Sequence, residues 1–340
     1  MILVIAEKPS VAQSIAKVLG ATSRKDGYME GGNYIVSWCF GHLVELADAS
    51  SYDERYAKWR YDDLPIVPEN WMFEVTKDKA QQFKVLSSLM KDNRVTELVC
   101  ATDAGREGEL IFRLVYNKAG CTKPFKRLWI SSLEDSAIRE GFQHLRDGKE
   151  YDRLYEAALS RSKADWIVGI NGTRLFTTLY HKKLVVGRVQ TPTLAMLVER
   201  DGKISTFQKE KYFNVHVGKG DLTADLEKVK TEEEAKKITA ACEKRQAVVS
   251  SLKQETKTVN PPKLYDLTTL QREANRYYGF TAQQTLDLVQ TLYEKKLLTY
   301  PRTDSQFITD DMEDTARQVI SIVCRQLPLF SDVSVTPDIA

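Results

Sequence analysis

The sequence predicts a multidomain α/β protein: a parallel-sheet domain over residues 1–150, a helical segment over 151–205, a strand-rich segment over 206–262 and an incomplete helical domain over 263–340. Three observations carry this prediction. Apolar strand-like runs alternate with helical patterns through the first 150 residues, apolar spacing turns helical from Tyr151 to Leu179, and Pro261-Pro262 breaks the chain before two further capped helices. With 340 residues and 42% hydrophobic content, there is enough apolar side chain for more than one core.

Ile2-Leu3-Val4-Ile5-Ala6 reads as a buried strand. The helix after it has Pro9 near its first turn, where a missing N–H is harmless, and Gly20 just past its end. Glu97 to Thr102 is a second strand, followed by a helical run from Glu109 to Lys118. A third strand, Lys126 to Ile130, leads into Ser131-x-x-Glu134, a capping-box signature expected to open a helix to Leu145. Strands separated by helices pair in parallel. Between Tyr151 and Leu179, the residues Leu154, Ala157, Leu159, Ala164, Ile167 and Val168 lie near helical spacing. Thr191-Pro192 is expected to start the next helix, with Thr191 as its N-cap and a stop near Gly202. Tyr212 to Val217 and Ala247 to Lys257 read as strands, with a charged helix between them capped by Thr231-x-x-Glu234. Helices are expected over Leu267 to Tyr277 and Thr281 to Lys296, the second capped by Thr281-x-x-Gln284.

Charge narrows the function classes. The 49 basic and 47 acidic residues leave a net +2, which excludes a strongly basic packaging protein but not a regional nucleic-acid surface. Between Tyr151 and Ser205, nine Lys or Arg face five Asp or Glu, a local excess of +4. The five cysteines are scattered without C-x-x-C spacing, which argues against a zinc ribbon or a disulfide scaffold, and Cys100 falls in an apolar strand. The start, MILVIAEKPS, is too short and too soon charged for a signal peptide, and no apolar run reaches membrane length. A cytoplasmic protein with no membrane partner is expected.

Glu7 directly follows the first strand and Asp103 the second, so both belong at the carboxyl edge of an open parallel sheet, where ligands bind. The turn Asp103-Ala104-Gly105-Arg106-Glu107-Gly108-Glu109 adds further carboxylates. Clustered carboxylates repel unless a cation neutralises them, and Mg²⁺ suits oxygen ligands. A solvated acidic turn at a helix start is the plainer alternative. ILVIAEKPS together with ATDAGREGE resembles a Toprim domain, the metal-binding fold shared by topoisomerases, bacterial primases and some nucleases. That pattern has a glutamate after the first strand and D-x-D-x-E after a later one; here Gly105 stands at the middle aspartate. The resemblance implies one Mg²⁺ held by Glu7 and Asp103, with Glu107 direct or through water, and places Lys8 on the scissile phosphate.

Leu297 to Ser305 contains Thr299-Tyr300-Pro301-Arg302-Thr303-Asp304-Ser305, which resembles the active-site motif of type IA DNA topoisomerases, in particular the topoisomerase III branch. Without that resemblance, a tyrosine beside an arginine reads as a packing or cation–π pair. Ionising a free tyrosine at pH 7 costs roughly 4 kcal/mol, and the Arg302 guanidinium is expected to stabilise both the developing phenolate and the phosphate. The resemblance implies a 5′-phosphotyrosyl intermediate at Tyr300, with Glu7 protonating the leaving 3′-oxygen. Exchange of one phosphodiester for another conserves bond energy, so no ATP is required, and no G-x-x-x-x-G-K-[ST] loop is present.

Gly187-Arg188-Val189-Gln190-Thr191-Pro192 resembles a segment of the same family and enters a helix start, whose free N–H groups suit a phosphate of single-stranded DNA. Arg161, Trp166 and Arg174 match the family's preceding helix, although core packing is the plainer fate of the Trp166 ring. Trp59, near Leu64-Pro65-Ile66-Val67-Pro68, matches another segment and is expected to stack on a base. His42 also matches, with no role assigned. Family members are longer and close a ring, so this chain is expected to bind and cleave single-stranded DNA without relaxing plasmid. A Toprim primase or nuclease and a non-catalytic binding fragment are the rival readings.

Overall fold

A computed structural model of the chain describes residues 1–243, 245–246, 248, 251–295, 297–303, 305–308 and 312–327. Two compact units form: residues 1–188 with 262 onward, and residues 189–261.

In the first unit, β1 (Ile2–Ala6) leads into α1 (Pro9–Leu19), with Pro9 in its opening turn and Gly20 beyond its end at φ +74°. An antiparallel meander follows: β2 (Ser23–Lys25), β3 (Tyr28–Gly31) and β4 (Tyr34–Trp38). Next come β5 (Val44–Leu46), α2 (Ala49–Tyr52), β6 (Phe73–Val75) and α3 (Ala80–Lys91). The chain re-enters the sheet through β7 (Glu97–Ala101), α4 (Arg106–Lys118) and β8 (Phe125–Arg127). It then forms α5 (Asp135–Gln143), β9 (Arg146–Asp147) and the long α6 (Asp152–Tyr180).

The main sheet has the order β2-β3-β4-β1-β7-β8-β9. Its centre, β4-β1-β7-β8, is parallel as expected, whereas both edges are antiparallel, so the sheet is mixed. Alternation along β1 divides the core. Leu3 and Ile5 join Leu98, Cys100, Leu86 and Phe112 on one face, while Val4 and Ala6 join Val99, Val11, Ile15 and Ile138 on the other. Cys100 is fully buried, which pushes its thiol up to about 11, and all five cysteines are free.

Two predicted boundaries shift. The third strand stops at Arg127, and the expected capping box does not form: Glu134 caps α5 without a side-chain bond, its N–H donating instead to Ser132 Oγ at 3.2 Å. Residues 64–68 are anchored on α6 by Asn171, which accepts from Ile66 N–H at 2.6 Å and donates to Ile66 O at 2.8 Å.

The second unit holds α7 (Gln190–Ser205), β10 (Phe213–Lys219), β11 (Leu222–Val229) and α8 (Glu232–Cys242). Val189, not Thr191, is the N-cap of α7, and Pro192 sits in its first turn, where no intrahelical N–H bond is lost. Gly202 lies inside the helix rather than ending it, a cost of only about 1 kcal/mol. The partner of β10 is β11, joined by a tight turn with Gly220 at φ +60°. Residues 251–257, expected as the second strand, form none; Ala247, Val249 and Ser250 lie outside the described residues. Thr231 caps α8 as predicted, accepting from Glu234 N–H at 3.3 Å.

The chain returns to the first unit as α9 (Leu267–Tyr278), α10 (Ala282–Glu294) and α11 (Glu313–Gln326). The capping box at Thr281 and Gln284 is complete in both directions. Thr285, Val289 and Tyr293 make up the buried stripe of α10. Lys296 and Asp304 lie outside the described residues.

Candidate active site

Ala6 is paired with Ala101 in the parallel register, so the chain leaves β1 and β7 at one edge and delivers Glu7 and Asp103 side by side. Asp103 N–H donates to Glu7 Oε2 at 3.3 Å. Burial first, then the charge of Asp103, raises the Glu7 carboxyl to about 7, with Lys8 opposing. Glu7 therefore retains a proton near neutrality, when an ordinary glutamate has long lost it.

Tyr300 meets this edge from the segment after α10. Its backbone N–H donates to Ser131 O at 3.2 Å, and Pro301 behind it is buried. The Tyr300 ring packs edge-on against Tyr293 at 5.5 Å, and it shares the lining of one pocket with Asp103. Burial, then the charges of Asp103 and Glu7, push the phenol well above its ordinary range, outweighing the exposed Arg302. At rest the carboxylates hold the hydroxyl protonated. A pocket beside the ring is lined by Val11, Ile15, Leu133, Asp103, Tyr293 and Tyr300.

Sequence reasoning missed two residues of this site. Tyr293 is 5% exposed, and burial followed by the charges of Asp103 and Glu7 raises its phenol. Its signal was the i, i+4, i+8 stripe of Thr285, Val289 and Tyr293. Arg127 is fully buried; its Nη1 donates to Cys100 O, Thr102 O and Leu128 O at 3.0, 2.7 and 2.8 Å, and its Nη2 to Asp103 O at 2.6 Å. Its Nε lies 3.1 Å from Glu109, which is also fully buried and paired with Arg113 at 2.9 Å. Glu109 is thus a support of the Asp103 turn rather than part of the acidic edge. An arginine inside a predicted strand, followed by Leu128, Trp129 and Ile130, was the available signal.

Gly108 closes the same turn. A Cβ there would lie 2.2 Å from Asp103 O, a backbone atom that cannot swing aside. Gly108→Ala is expected to destabilise the chain by about 1–3 kcal/mol, read as a lowered urea midpoint at unchanged m-value.

The remaining predicted residues form two further groups. In one, Glu107 pairs with Arg161 at 2.7 Å, with Arg106 and His42 each 3.9 Å away. Arg161 reaches Asp165 at 3.9 Å, and Arg188 reaches Asp165 at 2.7 Å. In the other, Arg174 is 3% exposed, donates to Tyr56 O at 2.7 Å and covers the Trp59 ring at 5.3 Å. Trp166 donates to Ala47 O at 2.9 Å and packs edge-on against Tyr52 and Trp71. Arg174 and Trp166 are therefore occupied with packing, while Trp59 keeps 40% of its surface exposed. Gly187 and Arg188 end the first stretch of the first unit; Val189, Gln190, Thr191 and Pro192 open the second.

Glu7 and Asp103 offer oxygen donors only, and the raised Glu7 carboxyl marks a pair short of positive charge, a donor set that fits a hard divalent cation. Among the described residues, no three His, Cys, Asp or Glu side chains converge to hold a metal, and Glu107 is paired with Arg161.

A family model described as "Toprim domain" matches residues 2–133, and one described as "DNA topoisomerase" matches residues 149–334. With more than half of its length under the second, the chain belongs to the DNA topoisomerase family, in the type IA, topoisomerase III-like branch. It is similar to DNA topoisomerase 3 of Bacillus subtilis (strain 168), 46% identical over 93% of this chain and 44% of that protein. Similarity to DNA topoisomerase 3 of Staphylococcus haemolyticus is also 46%, over 93% of this chain and 45% of that one. The chain spans less than half the length of these curated relatives. Among solved structures, full-length topoisomerase I from Thermotoga maritima aligns with TM-score 0.66 and 26% identity, over 94% of this chain and 52% of that one. No helix among the described residues is long and apolar enough to cross a membrane.

Proposed function

We propose that the chain breaks and rejoins single-stranded DNA through Tyr300, as the catalytic part of a longer enzyme that relaxes or decatenates DNA without ATP. The observation that carries this reading is Tyr300 lining one pocket with Asp103, at the edge Asp103 shares with Glu7. In cleavage, Tyr300 Oη bonds to phosphorus and the P–O3′ bond breaks. Asp103 is placed to take the phenol proton as attack proceeds, which suits a hydroxyl that stays protonated at rest. Glu7, holding a proton near neutrality, is placed to protonate the 3′-oxygen, and both transfers reverse on rejoining.

Glu7 and Asp103 are the residues that would hold Mg²⁺, which when bound supplies positive charge beside the phosphate. Lys8 and Arg302 are assigned to the scissile phosphate, and Arg161 and Arg188 to flanking phosphates. The opening turn of α7, over Gln190 to Pro192, suits a further phosphate, and the exposed part of Trp59 suits a base. The proposed division is a Toprim domain over 1–150, a DNA-binding segment over 151–205, an arch over 206–262 and a nucleophile domain from 263.

The test uses an oligonucleotide labelled at either end, incubated with the chain and Mg²⁺ and quenched in denaturant. A 5′-phosphotyrosyl link carries the 3′-label into the protein band and leaves the 5′-label free. Transfer of the 5′-label, or of neither, refutes the proposal.

A further inference from the structure

Building on that reading of the site, we infer that Arg161 is a positioning residue: it holds Glu107 away from the Glu7–Asp103 pair and releases it when a DNA phosphate takes its guanidinium. Three observations lead here. Arg161 Nη1 lies 2.7 Å from Glu107 Oε1, although the two stand on different helices and are far apart in sequence. Glu107 is surrounded by basic side chains, with Arg106 and His42 each 3.9 Å away in addition to Arg161. The same arginine is tied through Asp165 to Arg188, so the carboxylates of Glu107 and Asp165 occupy two guanidinium groups on one surface.

The chemistry of exchange follows. The Arg161 and Glu107 side chains are 35% and 52% exposed, so their ion pair is weakly held and open to competition. A phosphodiester presents the planar guanidinium with the same two-oxygen geometry as a carboxylate. Once phosphate replaces Glu107, the freed carboxylate sits on the first turn of α4, immediately beyond the Asp103 turn. It then becomes the third oxygen ligand for a cation at Glu7 and Asp103. DNA binding and cation binding are thereby coupled, and the coupling is reciprocal.

The test measures Mn²⁺ affinity from the free-ion electron paramagnetic resonance signal, in a Tyr300→Phe background that contains no cleavage step. Arg161→Met keeps the apolar stem and helix propensity while removing the guanidinium. It is expected to tighten Mn²⁺ binding without DNA roughly two- to fivefold, the worth of an exposed ion pair. With Glu107→Gln also present, Arg161→Met should change the affinity little, because the released ligand is gone. A short single-stranded oligonucleotide, corrected for its own Mn²⁺ uptake, should tighten the Arg161 chain and barely affect Arg161→Met. Equal tightening with and without the Glu107 carboxylate would show only a through-space effect of the lost charge and overturn the inference. So would absence of Mn²⁺ binding in every variant, or an oligonucleotide effect independent of Arg161. Coupling observed in the Tyr300→Phe series, with no covalent adduct from the unsubstituted chain, would refute the nucleophile assignment alone.

Discussion

Tyr300→Phe is expected to bind single-stranded DNA yet yield no denaturant-stable adduct, a loss on the order of a thousandfold or more against the unsubstituted chain. The substitution removes one oxygen and keeps the ring, so the edge-on contact with Tyr293 at 5.5 Å and the apolar cluster around it persist. What disappears is the hydroxyl proposed to attack phosphorus beside Asp103. Because that hydroxyl is desolvated against two carboxylates, its removal should shift stability by no more than about 1 kcal/mol in either direction. Adduct on denaturing gels, DNA affinity by anisotropy and the urea midpoint together separate lost chemistry from lost folding. Adduct at the original level in Tyr300→Phe would remove Tyr300 from the reaction; a labelled peptide containing Tyr293 would identify its replacement.

Arg127→Met is expected to destabilise the first unit by about 3–5 kcal/mol, the cost of leaving a buried charge without its partner. Arg127 and Glu109 are both fully buried, and the same guanidinium serves the carbonyls of Thr102 and Asp103. Removing it strands Glu109 with Arg113 alone and withdraws the donor that fixes the turn bearing Asp103. Arg127→Met combined with Glu109→Leu should recover part of the loss, because the unpaired charge goes while the two carbonyls stay short of a donor. Urea unfolding measures both. A change below about 1 kcal/mol in the single variant would mean that water enters and solvates Glu109, and that the pair does not hold the turn.

Much of the fold was legible in residue order. The strand at Ile2 to Ala6, its helix with Pro9 and Gly20, the strand starting at Glu97 and the caps at Thr231 and Thr281 all depend on neighbours within about one turn, and the structure contains each. Failures came where local signals competed. The box at Ser131 and Glu134 gave way to a bond from Glu134 N–H to Ser132, while Ala247 to Lys257 drew attention by β-propensity from Leu222 to Val229. The hairpin partner of β10 was signalled by Gly220-Asp221, a turn that local pairing favours over a strand across a helix.

Sequence alone was enough for the α/β class, the family resemblance and the arrival of Glu7 and Asp103 at one sheet edge, because strand period and parallel register follow from short-range pattern. Only tertiary packing decided that Tyr300 lines a pocket with Asp103, that Arg174 is enclosed and that Glu107 turns to Arg161. Each of those contacts joins residues remote along the chain. Which charged side chain ends beside which depends on how whole elements stack and how much water they exclude, and no local spacing encodes that.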